Sequence, residues 1–115
     1  VVVITRFTVS LGGEDAFVAR AEAAVEAMAR RPGFRGSRIG RAADDPQLWT
    51  VVTEWEGPGA YRRALSNFDV RVAAVPLLSE ARNEPSAFEV VARRDAADEQ
   101  AGAGGGAPGS GGSAV

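Results

Sequence analysis

Residues 48–55 constrain the fold more than any other stretch of the chain. Trp49, Val51, Thr53 and Trp55 share one side of a strand, and Leu48, Thr50, Val52 and Glu54 share the other. Both sides are largely apolar, so a strand here needs cover above and below. Gly57-Pro58 ends it. Pro58 suits the first turn of a helix, where the N–H it lacks would find no intrahelical partner. Ala60, Tyr61, Ala64 and Leu65 follow at helical spacing. The stretch thus brings a tryptophan to a strand end and a tyrosine onto the next helix, two large rings with polar tips placed to line a pocket.

The flanking sequence supplies partners for that strand. Residues 1–9 are a β-branched run in which Val1, Val3, Thr5, Phe7 and Val9 alternate with Val2, Ile4, Arg6 and Thr8, again apolar on both faces over the first half. After the turn Ser10-Leu11-Gly12-Gly13, Glu14 and Asp15 open a helix with acidic groups at the positive end of its dipole. Phe17, Ala21, Ala24, Val25 and Met28 form its apolar stripe, and Arg30-Arg31-Pro32-Gly33 stops it. Residues 34–42 read as a more polar strand in which Gly36 and Gly40 suggest a bulge or a close backbone approach. Asp44-Asp45-Pro46-Gln47 is the expected turn of an antiparallel hairpin joining it to the central strand. Ser66-Asn67 breaks and caps the next helix. Residues 69–78 form another helical piece, with Pro76 as a kink or end, and after Asn83-Glu84-Pro85 residues 87–91 are expected to be the last strand.

The order is strand, helix, strand, strand, helices, strand. This is an α+β, ferredoxin-like βαββαβ chain with an antiparallel sheet. Such a sheet carries helices on one face only, while its two central strands are apolar on both. The economical cover for the second face is the same sheet of another copy, so a homodimer is expected. Residues 1–92 make the domain. Residues 93–115 turn polar and then almost wholly Gly, Ala, Ser and Pro, a composition read as a disordered tail.

Composition removes many kinds of chemistry. The sequence has no histidine and no cysteine. It therefore lacks the commonest general base, the usual zinc and haem ligands, thiolate nucleophiles and disulfides. No metal or cofactor is expected. The formal net charge is −2, and all 13 basic residues are arginines spread along the chain, unlike the footprint of a nucleic-acid binder. Asp44 and Asp45 are turn residues rather than a metal pair. No apolar run approaches the roughly 18 residues of a membrane span, and the short run at residues 1–4 is no signal segment. No membrane partner is expected, and the default location is cytoplasmic. A chain that begins at Val1 is expected to be missing a few leading residues.

Read together, Arg31-Pro32-Gly33-Phe34, Gly40-Arg41-Ala42, Asp44-Asp45-Pro46, Thr53-Glu54-Trp55-Glu56, Ala60-Tyr61-Arg62 and Glu84-Pro85-Ser86-Ala87-Phe88-Glu89-Val90 resemble the antibiotic biosynthesis monooxygenase (ABM) domain family. Each piece is short; the ordered set over residues 1–91 is the more specific signal. The resemblance implies a dimeric α+β barrel of two sheets packed face to face. It implies a small monooxygenase that oxidises anthrone- or quinol-type aromatic polyketides with dioxygen, without metal, flavin or haem, in a cavity between sheet and helices of each subunit. A haem-degrading branch of the superfamily needs a histidine ligand, and this chain has none.

By the resemblance, Trp55 and Tyr61 match the family's site tryptophan and tyrosine, and Arg71 is the nearest match to its arginine, across a shorter gap. The family's asparagine, four residues before the tryptophan, is Val51 here. Asn67 and Thr53 are the candidates to replace it, and Trp49, Val51 and Thr53 share the strand face of Trp55 as candidate substrate contacts. Each also has a plainer reading. Trp55 and Trp49 are core rings, Tyr61 is a boundary residue, Arg71 is a solvated helix arginine, and Asn67 is a helix cap. Glu54, on the second face, needs a partner if covered, and Arg6 would serve. The alternative function is a non-catalytic ligand-binding or structural dimer of the same fold; a third is a cyclase or lyase.

Overall fold

The computed structural model describes residues 1–97; most of the expected tail lies outside the described residues, and residues 93–97 carry no regular structure. The elements are β1 (Val2–Thr8), α1 (Glu14–Ala29), β2 (Phe34–Ala42), β3 (Asp45–Trp55), α2 (Pro58–Leu65), α3 (Phe68–Ala73), α4 (Val75–Leu78) and β4 (Ala87–Phe88). The sheet order is β2-β3-β1-β4, every pairing antiparallel, with the two most apolar strands at the centre. This is the ferredoxin-like α+β arrangement expected from the order of elements.

Strand alternation sets the layers. Val3, Thr5, Phe7, Trp49, Val51, Thr53 and Trp55 are buried under the helices, whereas Val2, Ile4, Arg6, Leu48, Thr50, Val52 and Glu54 on the other face are only half-buried. The face apolar on both sides of the sequence pattern is thus open in the single chain. On the open face Glu54 stands opposite Val2, and Arg6 opposite Thr50. Arg6 lies 3.6 Å from Glu84, because the segment after α4 runs beside β1 and brings that carboxylate to it.

α1 buries Phe17, Ala21, Ala24, Ala27 and Met28. Val25, expected in the stripe, is half-buried, and Ala27 takes the place beside Met28. The alanines let the helix approach the sheet closely, and larger rings fill the ends of the layer. Phe7, Phe17 and Trp49 stack at one end with centroids 5.2 and 5.6 Å apart. Phe34, Trp55 and Tyr61 form the cluster at the other, with spacings of 5.3 and 5.6 Å. Gly33 ends the α1 connection at φ +90, and a Cβ there would stand 2.5 Å from Ala60 Cβ. Only glycine meets both the backbone angle and the contact with α2.

Three expected details change. The β2–β3 hairpin is tighter than the four-residue turn read from Asp44 to Gln47, since Ala42 already pairs with Asp45; of the two register shifts, one falls beside Gly36 as anticipated and the other at Arg41/Ala42 rather than at Gly40. The helical piece at 69–78 splits into α3 and α4 at Ala74, with Pro76 in the first turn of α4. Proline has no N–H for the preceding turn, so a continuous helix cannot pass through it. The last strand is two residues long instead of five. Ala87 and Phe88 pair with Val3 and Val2.

Candidate functional site

The corner of β3 and α2 forms as the sequence pattern implies. Gly57 is the N-cap of α2 and Pro58 opens it, with Ala60 and Ala64 facing the core. That packing turns Tyr61, half-buried, towards the end of β3, where its ring lies 5.6 Å from the Trp55 ring at 52°. Trp55 itself is 1% exposed. Its indole N–H donates to the Thr53 hydroxyl, Nε1 to Oγ1 2.9 Å, so both polar groups are satisfied inside the core. Burial pushes the Tyr61 phenol above its ordinary value. At neutral pH it is protonated, and its hydroxyl is available as a hydrogen-bond donor rather than a base.

Tyr61 forms part of the wall of a cavity of about 400 Å³ beside β1. Thr5, Leu78 and Ser86 line it with Arg6, Arg82 and Glu84. Two backbone bonds frame the opening: Arg82 N–H donates to the Arg6 carbonyl at 2.8 Å, and Ile4 N–H donates to the Ser86 carbonyl at 2.7 Å. Between them Asn83, Glu84 and Pro85 swing away from the strand edge. Glu84 lies 3.6 Å from the Arg6 guanidinium and 3.3 Å from that of Arg82. All three side chains are partly exposed, so these pairs orient charge and add little to stability. Two cations around one carboxylate leave the wall with a net positive charge. A protonated phenol beside a positive wall can hold an aromatic oxyanion.

The expected residues divide into two groups. Trp55, Tyr61 and Thr53 come together in one cluster. Val51 is buried in the core, and Trp49 belongs to the opposite aromatic cluster, its N–H donating to the Pro46 carbonyl at 3.2 Å and Arg41 5.4 Å above its ring. Asn67 caps α3, its side-chain oxygen accepting from Val70 N–H at 3.3 Å. Arg71 stands on the exposed side of α3 and is not part of the cavity wall. Sequence reasoning missed Thr5, Arg6, Arg82, Glu84 and Ser86. The one available signal was a charged Arg6 inside an otherwise apolar strand. Among the described residues no group of three or more acidic side chains is placed to hold a metal ion, and no helix is long and apolar enough to cross a membrane.

A one-layer antiparallel sheet with helices on one face defines an α+β protein of the ferredoxin-like class. The family model described as antibiotic biosynthesis monooxygenase matches residues 1–75, and the chain belongs to that family. No curated protein sequence matches it. Among solved structures it is similar to a variant of SnoaB, a cofactor-independent oxygenase from Streptomyces nogalater, at 24% identity, covering 80% of this chain and 93% of that one with a TM-score of 0.67. It is also similar to Rv0793 from Mycobacterium tuberculosis, at 20% identity over 84% of this chain and 96% of that one, TM-score 0.60. A conserved protein from Methanosarcina mazei is similar at 17% identity over 75% and 84%, TM-score 0.61.

Proposed function

We propose that this chain is a cofactor-independent monooxygenase that oxidises a small aromatic of the anthrone or quinol type with dioxygen, working as a homodimer. The observation that carries the reading is the Tyr61 phenol, packed on Trp55 and set on the wall of a positively charged cavity in a chain of this family. The half-buried apolar face of β1 and β3 supports the dimer.

The protein's part is to bind the substrate and make it acidic. Tyr61 donates a hydrogen bond to the substrate oxygen, and Arg82 or Arg6 supplies the positive charge that favours the oxyanion. Trp55 holds the Tyr61 ring in place. The substrate's proton passes to Glu84, the one carboxylate on the wall. The anion gives one electron to dioxygen, and the resulting radical and superoxide combine into a carbon-bound peroxide. Once protonated, the peroxide loses water as its O–O bond and the adjacent C–H bond break, leaving a carbonyl. Anthrone plus dioxygen gives anthraquinone plus water. One oxygen atom enters the product and the other leaves as water.

The assay supplies anthrone and air and follows quinone absorbance and oxygen uptake together. Wild type is expected to consume one dioxygen per quinone, and Tyr61→Phe to lose about tenfold or more in kcat/KM. No rate above buffer, or a fully active Tyr61→Phe, refutes the assignment. A second reading, a ligand-binding dimer without turnover, draws on the Trp55 N–H being already engaged by Thr53 and on valine at position 51. Tight anthrone binding without oxygen uptake would establish it. A cyclase or lyase would form product without consuming oxygen.

A further inference from the structure

Tyr61 borders a second, chemically different space. Between α2 and β4 lies a groove of about 290 Å³ lined by Val1, Pro58, Leu65, Ala87 and Phe88 together with Tyr61, with the charged Arg62 and Glu89 also on its wall. Phe88 is 42% exposed there, although the ring is large and apolar. The cavity on the β1 side of Tyr61 is lined by hydroxyls, guanidiniums and a carboxylate, whereas this groove is mainly aliphatic and aromatic. Water in such a groove finds few hydrogen-bonding partners, and an apolar ligand group displaces it favourably.

We infer that the two spaces are compartments of one site divided by the Tyr61 ring, and that the substrate is an aromatic bearing an apolar substituent, an alkyl chain or a further ring, lodged against Leu65 and Phe88. The inference rests on the proposed reading only in taking the polar cavity as the place of the reacting ring. It makes this a site for elongated, two-ended phenols rather than for a bare ring. Leu65 and Phe88 then determine specificity, and Tyr61 fixes the point at which polar and apolar ends part.

Binding without turnover tests this separately from catalysis. The full chain is titrated calorimetrically with phenol and with 4-butylphenol under nitrogen. Full burial tightens binding about fourfold per methylene, so partial burial of the chain is expected to make 4-butylphenol bind at least about tenfold tighter than phenol. Leu65→Trp, which fills the groove, should bring that ratio close to one, as should Phe88→Ala, which removes one wall. Val72→Ala, on the outer side of α3, should keep the wild-type ratio. A wild-type ratio below about threefold overturns the inference, and so does a ratio that both groove variants leave unchanged. If the ratio behaves as expected but anthrones are not oxidised, the groove stands and the monooxygenase reading falls. Oxidation with a flat ratio does the reverse.

Discussion

Replacing Thr53 by valine tests whether Trp55 belongs to the core or to the site. The substitution keeps the β-branched shape and exchanges one hydroxyl for a methyl. The Trp55 indole N–H then loses its acceptor, 2.9 Å away, on a ring that is 1% exposed and has no water to turn to. Leaving a buried donor unsatisfied costs about 1–3 kcal/mol. For a domain of this size that lowers Tm by roughly 5–20 °C. The assay is thermal unfolding followed by circular dichroism, with every variant at one protein concentration because association shifts Tm by mass action. Trp55→Phe supplies the second arm. With the donor gone, adding Thr53→Val should cost no more than about 0.5 kcal/mol, so the two substitutions are coupled. Equal cost in both backgrounds would show that the hydroxyl does not receive the indole N–H. The ring would then be free to donate to a substrate oxygen, and Trp55 would regain a direct place in the site.

Gly33→Ala should destabilise by about 2 kcal/mol or more, since it combines positive φ with an overpacked contact at Ala60; urea unfolding measures it, and a neutral result would mean that α2 can move outward freely. The Tyr61 shift fixes a sign with pH. The folded phenol holds its proton above the ordinary phenol value of 10.0, so between the unfolded and folded values the folded state binds more protons. Its contribution is full below about pH 10 and lost as pH rises through the folded value. Wild type should therefore lose stability above pH 10 more steeply than Tyr61→Phe, and parallel curves would refute the burial of this group. Val52→Glu places a charge in the middle of the open face. Sedimentation velocity at micromolar concentration should show wild-type dimers and monomeric variant; a monomeric wild type removes the dimer.

Alternation alone made the two central strands legible, because each is long enough for a period of two to separate a core side from an open side. The corner of Trp55 and Tyr61 was legible for the same reason, with Pro58 marking where one period gives way to the other. The length of β4 was not. Residues 87–91 have the right residue types, but a strand also needs a neighbour in register, and the pairing of Ala87 and Phe88 with Val3 and Val2 is visible only in the fold. The charged cavity wall was hidden for a related reason. Arg6 and Glu84 are far apart in the chain, and nothing local in Arg82-Asn83-Glu84-Pro85-Ser86 distinguishes a cavity rim from an ordinary turn.

The position of Arg6 ties the two halves of the proposal together. Its neighbour Thr5 points under the helices with Tyr61, while Arg6 itself stands on the open face and reaches the edge of β1 to meet Glu84. In the single chain water screens that pair, and the wall's charge is correspondingly weak at a distance. A second sheet packed on the open face would exclude that water from one side of Arg6 while leaving Tyr61 and the cavity on the other. The field at the substrate oxygen would then strengthen without any change in the residues that touch it. On the proposed reading, dimerisation would be coupled to anion stabilisation through this one side chain. Substitutions such as Val52→Glu, remote from the cavity, should raise the substrate's apparent pKa when they separate the subunits.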